Sequence, residues 1–177
     1  MKSKHAPSRS NKQRDKEGCP LDQEIFAHRT EEIKARLYRT ALLYLGNEAD
    51  ALEAVDETVY RALKGLKQLR QPEYFDTWIT RILLNECYRE LHRKKRLSGE
   101  ELLPEAAGPD VYDSFPLREA IGKLPEDLRS VLVLRYFSGY TLEETAHLLR
   151  IPRGTAATRQ RRALQLLRLE LGEEGDT

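Results

Sequence analysis

Apolar side chains recur three and four residues apart along most of this chain, the spacing of one face of an α-helix. Ile33, Leu37, Ala41, Tyr44 and Leu45 make one stripe, and Leu52, Val55, Val59, Leu63 and Leu66 make a second. A third helix is predicted to start near Pro72, a proline allowed in a first turn, and to run through Phe75, Ile79, Ile82, Leu83 and Leu91 into a basic end. No segment alternates as a strand would. After a polar interval, Pro125 opens a helix carrying Leu128, Val131 and Leu132, which Gly139 interrupts. Thr141 followed by Glu144 reads as a capping box, because hydroxyl and carboxylate satisfy each other's exposed backbone donors. A short helix follows with Leu142, Ala146 and Leu149 inward. The last helix runs from about Pro152 and Arg153 to about Leu171, with Ala156, Ala163, Leu164, Leu167 and Leu171 inward. The pattern predicts an all-α fold of two small helical modules, and no internal repeat is present.

Charge divides the chain at the same places. Residues 1–22 form a basic tail without apolar period, 23–96 the first module, 97–116 an acidic linker rich in proline and glycine, and 117–177 the second module. The overall balance, 30 Lys and Arg against 29 Asp and Glu, excludes a uniformly basic binder and leaves only a polarised arrangement. The longest apolar run, Ala41 to Leu45, falls far short of the roughly 18 residues a membrane span needs. The lysines near the start have no apolar stretch behind them, as a secretory signal would. Cys19 and Cys87 cannot make a disulfide framework, so a reducing cytoplasm is the expected location.

Three constellations carry chemistry. The last two helices have helix-turn-helix proportions, and Arg153, Thr155, Thr158, Arg159, Arg161 and Arg162 supply side chains that reach base edges and phosphates. Taken alone, the same arginines also suit a solvated helix face. The third helix sets Tyr74, Phe75 and Trp78 ahead of Arg81, Asn85, Arg89, Arg93 and Lys94, a mixture that suits unpaired bases and their backbone. The rings suit a core equally well. Asp50, Glu53, Asp56 and Glu57 share one helix side with no base between Gly46 and Tyr60, which points to a basic partner or to a solvated face. His5, His28, His92 and His147 show no ligand spacing with the cysteines, so no metal or other cofactor is expected. Neither a phosphate-cradling loop nor a nucleophile with a base beside it appears, and no catalytic residue is assigned.

These residues also carry a family resemblance, over about residues 24 to 171. Asp50-Ala51-Leu52-Glu53-Ala54-Val55-Asp56-Glu57-Thr58 resembles the DA-x-D-x-V-Q-E segment of the extracytoplasmic-function (group IV) sigma factors of bacterial RNA polymerase. Phe75-x-Thr77-Trp78-Ile79-x-Arg81-Ile82-x-x-Asn85 is similar to their F-x-T-W-L-x-R-I-A-x-N segment. Leu124-Pro125-Glu126, Leu134-Arg135-Tyr136, Thr141-Leu142-Glu143-Glu144-Thr145-Ala146 and Gly154-Thr155 through Arg162-Ala163 resemble their C-terminal helix-turn-helix. Three such segments in the right order are specific where each alone is modest.

The resemblance implies a non-enzymatic factor that binds core polymerase, at the beta-prime clamp helices and the beta subunit, and directs it to promoter DNA. Asp50, Glu53, Asp56 and Glu57 would dock on the clamp helices. Tyr74, Phe75, Trp78, Arg81, Asn85, Arg89, Arg93 and Lys94 would handle the minus-ten element, Asn85 lining the pocket of a flipped base and the last three holding backbone. Arg153, Thr155, Thr158, Arg159, Arg161 and Arg162 would read the minus-thirty-five element, Arg159 on phosphate. An anti-sigma factor and a stress or envelope response are implied as well.

Some positions depart from the family pattern. Asp56 replaces a glutamine, Arg150 stands where a turn glycine is common, and Pro152 replaces a serine cap. Ala157 replaces a longer polar residue and Gln160 an apolar one. A residue other than glycine held left-handed at 150 would cost about 1 kcal/mol. The competing expectation is a conventional helix-turn-helix regulator that does not act as a polymerase subunit.

Overall fold

The computed structural model describes residues 21–98 and 115–172, and every regular element among them is helical. Helix α1 (Gln23–Leu45) begins where the Asp22 carboxylate accepts from the Ile25 N–H at 2.8 Å, and ends at Gly46. Gly46 sits at φ 70°, a left-handed turn that glycine adopts without a Cβ clash, and its N–H closes on the Leu42 carbonyl at 2.8 Å. Asn47 immediately caps α2 (Glu48–Gly65), its side-chain oxygen accepting from the Asp50 N–H at 3.1 Å. Two short 3₁₀ turns, Leu66–Gln68 and Pro72–Tyr74, lead into α3 (Phe75–Ser98). Asp76 fastens the start of α3 to α1 through ion pairs with Arg29 and Arg36.

The first stripe is buried as expected, from Ile33 through Leu45. The second is not. Ala51, Ala54, Val55, Thr58 and Ala62 face inward on α2, while Leu52 and Leu63 stand 55% and 41% exposed. Small residues let α2 approach α1 and α3 closely, and the larger leucines are displaced to the outer face.

The second module opens with α4 (Phe115–Lys123), a helix that the sequence pattern did not reveal; Ala120 and Ile121 are its buried contribution. Helices α3 and α4 thus reach slightly into the stretch expected as linker. Its remainder, 99–114, and residues 1–20 of the basic tail lie outside the described residues. Helix α5 (Glu126–Leu132) widens into a π-type turn over Val133–Phe137, and Gly139 at φ 77° ends it. Helix α6 (Leu142–Leu149) carries the expected capping box at Thr141 and Glu144. Arg150 is left-handed, φ 54° and ψ 42°. Helix α7 (Arg153–Gly172) packs through buried Ala156 and Ala163, with Leu166 and Leu167 half-buried against the core; Leu164 and Leu171, expected inward, lie exposed.

The two modules share one core. Apolar side chains from Phe26 to Ala163 form a single cluster, and polar contacts stitch across it. Thr40 and Ser138 hydroxyls meet at 2.7 Å, and Tyr88 and Ser130 at 2.9 Å. The Tyr140 hydroxyl donates to the Asp76 carbonyl at 3.1 Å and meets Thr80 at 2.7 Å.

Candidate nucleic-acid interface

Helix α3 has two faces. Its inner face buries Phe75, Ile79, Leu83, Leu84 and Cys87. Phe75 packs edge-on against Phe26, ring centroids 5.8 Å apart, with the Arg29 guanidinium 4.7 Å over its ring. That corrects one expectation: Phe75 has no exposed surface and is a core residue, not a base-stacking one. Tyr74 is exposed at the start of the helix.

Trp78, Ile82, Asn85 and Arg89 follow at spacings of four, three and four, hence on one outward stripe. With Arg61, Lys64, Gly65 and Gln68 of α2 and the turn after it, they line a cavity of about 460 Å³. The cavity offers an aromatic wall, an exposed amide and a cationic rim, the features by which a nucleobase and its phosphates are held. Arg81 points elsewhere, donating to the His147 carbonyl at 3.2 Å and contacting its Nδ1 at 3.3 Å. This pairing puts α6 of the second module beside Trp78 and Thr77, across a cavity of about 700 Å³ that also holds Tyr74.

The basic residues of α3 are not bare. Arg89 pairs with Glu86, Arg93 with Glu90, and Lys94 with Asp50. The Arg93 hydrogen bond holds the Glu90 carboxyl below its ordinary range. These pairs correct a second expectation, that the acids of α2 stand unneutralised. Asp50 is tied to α3, and Glu57 accepts from Arg61 Nε at 2.6 Å. Glu53 and Asp56 remain exposed on the outer face, beside the displaced Leu52 and Leu63 and the exposed Tyr60.

In the second module, Thr141 and Glu144 hold the start of α6. The Glu144 carboxylate accepts from the Thr141 N–H at 2.8 Å, and this backbone hydrogen bond lowers its pKa. Arg153, Thr158, Arg161 and Arg162 lie exposed on α7, Thr155 half-buried. The Thr158 hydroxyl donates to the Gly154 carbonyl at 3.0 Å. Arg159 has an acid partner that its neighbouring arginines lack among the described residues: its Nε pairs with Asp127 of α5 at 3.2 Å, with both side chains partly exposed. A phosphate contact by Arg159 would exchange with this ion pair.

Some residues that shape these surfaces left no signal in the pattern. Gln160, noted only as a departure, donates from Nε2 to the Tyr136 hydroxyl at 2.7 Å and so fixes α7 to the π-type turn. Glu86 and Arg61 matter only once α2 lies beside α3, and His147 only once the modules meet.

The fold and these surfaces define a class: a protein of two helical modules, the second a helix-turn-helix, with an acidic and apolar face on the first. Residues 30–97 match the Sigma-70 region 2 family and residues 120–169 match Sigma-70, region 4. The chain is 32% identical over 145 residues to the RNA polymerase sigma factor SigV of Bacillus subtilis (strain 168), covering 80% of this chain and 87% of SigV. It is 30% identical over 179 residues to the ECF RNA polymerase sigma factor SigW of the same organism, covering 90% of this chain and 96% of SigW. Among solved structures, it is similar to the sigma factor RpoE in complex with the anti-sigma factor NepR from Bartonella quintana, with TM-score 0.75 at 23% identity over 86% of this chain and 98% of that one. It is also similar to CnrH in complex with the cytosolic domain of CnrY, with TM-score 0.67 at 25% identity over 88% of this chain and 92% of that one. The chain belongs to the ECF sigma factors of RNA polymerase.

Among the described residues no helix is long and apolar enough to cross a membrane.

Proposed function

We propose that the chain binds core RNA polymerase through the outer face of α2 and carries it to a set of promoters, reading a minus-ten element with α3 and a minus-thirty-five element with α7. The observation that carries this reading is the cavity bounded by Trp78 and Asn85 with its rim of Arg61, Lys64 and Arg89, on the same module as the acidic and apolar face of α2. On α2, Glu53 and Asp56 with Leu52 offer a surface for a partner that is both basic and apolar. Asp50 and Glu57 join them once their own cations are exchanged for the partner's. Asn85 and Trp78 receive a base drawn from the melted strand, and Arg89, Arg93 and Lys94 hold its backbone. Arg153, Thr155, Thr158, Arg161 and Arg162 enter the duplex major groove. Polymerase provides the chemistry of transcription.

The free chain is closed. The second module sits on α1 and α3, and His147 occupies Arg81. This arrangement supports weak promoter binding by the free chain and an opening step on polymerase. The two solved neighbours are complexes with an anti-sigma factor and with the cytosolic domain of CnrY, and we infer that a protein of that kind holds this chain inactive.

The test is run-off transcription with bacterial core polymerase, the full chain and a library of genomic promoter fragments, including the stretch upstream of its own gene. Specific initiation on a subset of fragments is expected. Silence on all of them, with no co-purification with core polymerase, overturns the reading.

A further inference from the structure

Glu86 is the most enclosed acid near the candidate minus-ten surface, its side chain 6% exposed, and its two oxygens serve cations from two different helices. Oε2 accepts from Arg89 Nη2 of α3 at 2.5 Å, and Oε1 lies 3.0 Å from Arg61 Nε of α2, an ion pair beside the hydrogen bond that Nε donates to Glu57. The cations are not enclosed with it: Arg61 is 44% and Arg89 58% exposed, and both stand on the rim of the cavity lined by Trp78 and Asn85. Arg61 meets both Glu57 and Glu86 through Nε. Among the described residues Arg61 and Arg89 pair with no further acid.

An enclosed carboxylate needs cations beside it, because a buried charge left unpaired is costly, whereas cations that stay exposed add little to stability by the pairing and remain open to a ligand. Here the acid is enclosed and the cations are presented. Each guanidinium keeps several donors in a rigid planar fork, so holding one edge, Arg89 on Glu86 and Arg61 between Glu57 and Glu86, aims the other.

We propose that Glu86 is a positioning residue, whose shared carboxylate aims Arg61 and Arg89 across the mouth of the Trp78–Asn85 cavity to clamp the phosphates flanking a base held there. The inference rests on the minus-ten reading of α3 and extends it to two residues, Glu86 and Arg61, that the family motif does not mark. Glu86 touches no DNA. Its removal leaves the local charge more positive, so general attraction to nucleic acid persists while the aim of the fork is lost. Specificity falls without affinity falling everywhere.

The test uses holoenzyme assembled from core polymerase and the full chain, with two fluorescent single strands: the non-template minus-ten sequence found by run-off transcription, and its scrambled counterpart. In Glu86→Gln the ratio of the two affinities is expected to drop on the order of tenfold, the size that one charge-assisted contact supports, with binding of the scrambled strand unchanged or stronger. Glu86→Asp keeps the charge on a shorter stem and is expected to fall between, and it carries the test where Glu86→Gln does not assemble with core. In an Arg89→Ala background the effect of Glu86→Gln on the ratio is expected to shrink, since the residue it acts through is gone. Equal loss on both strands, an unchanged ratio, or a full effect persisting without Arg89 overturns the proposal and leaves Glu86 a packing tie. A wild-type holoenzyme that does not discriminate the strands at all overturns the minus-ten reading itself.

Discussion

The Arg129 guanidinium of α5 donates to the Tyr44 carbonyl at the end of α1, 2.8 Å away across the boundary between modules. The same side chain also donates to the carbonyls of Gly122 and, at 3.0 Å, Leu124. One buried cation, with no acid partner among the described residues, thus satisfies carbonyls that close packing would otherwise leave bare, and burial lowers its pKa.

Arg129→Met keeps most of the volume and removes every one of these donors. Loss on the order of 3 kcal/mol of folding stability is expected, because the carbonyls stay buried. Chemical denaturation of the free chain measures it.

Tyr140→Phe is gentler. It deletes the hydroxyl bridging Asp76 and Thr80, and about 1 kcal/mol of the contact between modules should go with it. Binding of promoter duplex by the free chain is expected to rise, read by fluorescence anisotropy without polymerase. No rise would mean that the closed arrangement does not limit DNA access.

The two arginines at 159 and 161 should separate cleanly. Arg161→Ala is expected to weaken minus-thirty-five binding by about 1–3 kcal/mol, as loss of a base or phosphate contact does. Arg159→Ala removes a half-exposed pair with Asp127 and should cost under about 1 kcal/mol of stability with little change in DNA affinity. Equal DNA defects would mean that Arg159 exchanges this pair for a phosphate contact.

The capping carboxylate sets an acid limit. Glu144 has a folded-state pKa below its unfolded one, so its stabilising contribution is present above the ordinary carboxylate range and is lost as pH falls through the lowered value. Glu144→Gln should flatten that part of the stability-versus-pH curve, while leaving a weaker cap at neutral pH.

Cys87 has no such reach. It is fully buried, and burial pushes its thiol well above the usual value. Thiol reagents should modify it in urea and spare it in the native chain.

What the sequence made legible was whatever depends on neighbours along the chain. The capping box at Thr141 and the alanines of α7 at 156 and 163 follow from helical spacing, while the left-handed Arg150 was legible only through the family resemblance. The inward face of α2 was misread in part because periodicity favours large apolar residues, whereas the interhelical gap takes the small side chains of Ala51, Ala54, Thr58 and Ala62 beside Val55. Phe75 was ambiguous for the opposite reason: a ring beside basic residues suits either a core or a base, and only Phe26, forty-nine positions away, decides it. The ion pairs from Asp50 to Lys94 and from Arg61 to Glu86 were invisible since they join helices, and a charge count along one helix cannot see its neighbour.

The apolar cluster running from Phe26 to Ala163 has a thermal consequence. Parting the modules wets surface that the closed chain keeps dry, so opening should raise the heat capacity, and cooling should weaken the grip that holds the halves together. The balance between a closed chain and one ready for its partner then shifts with temperature, without any ligand, signal or covalent change.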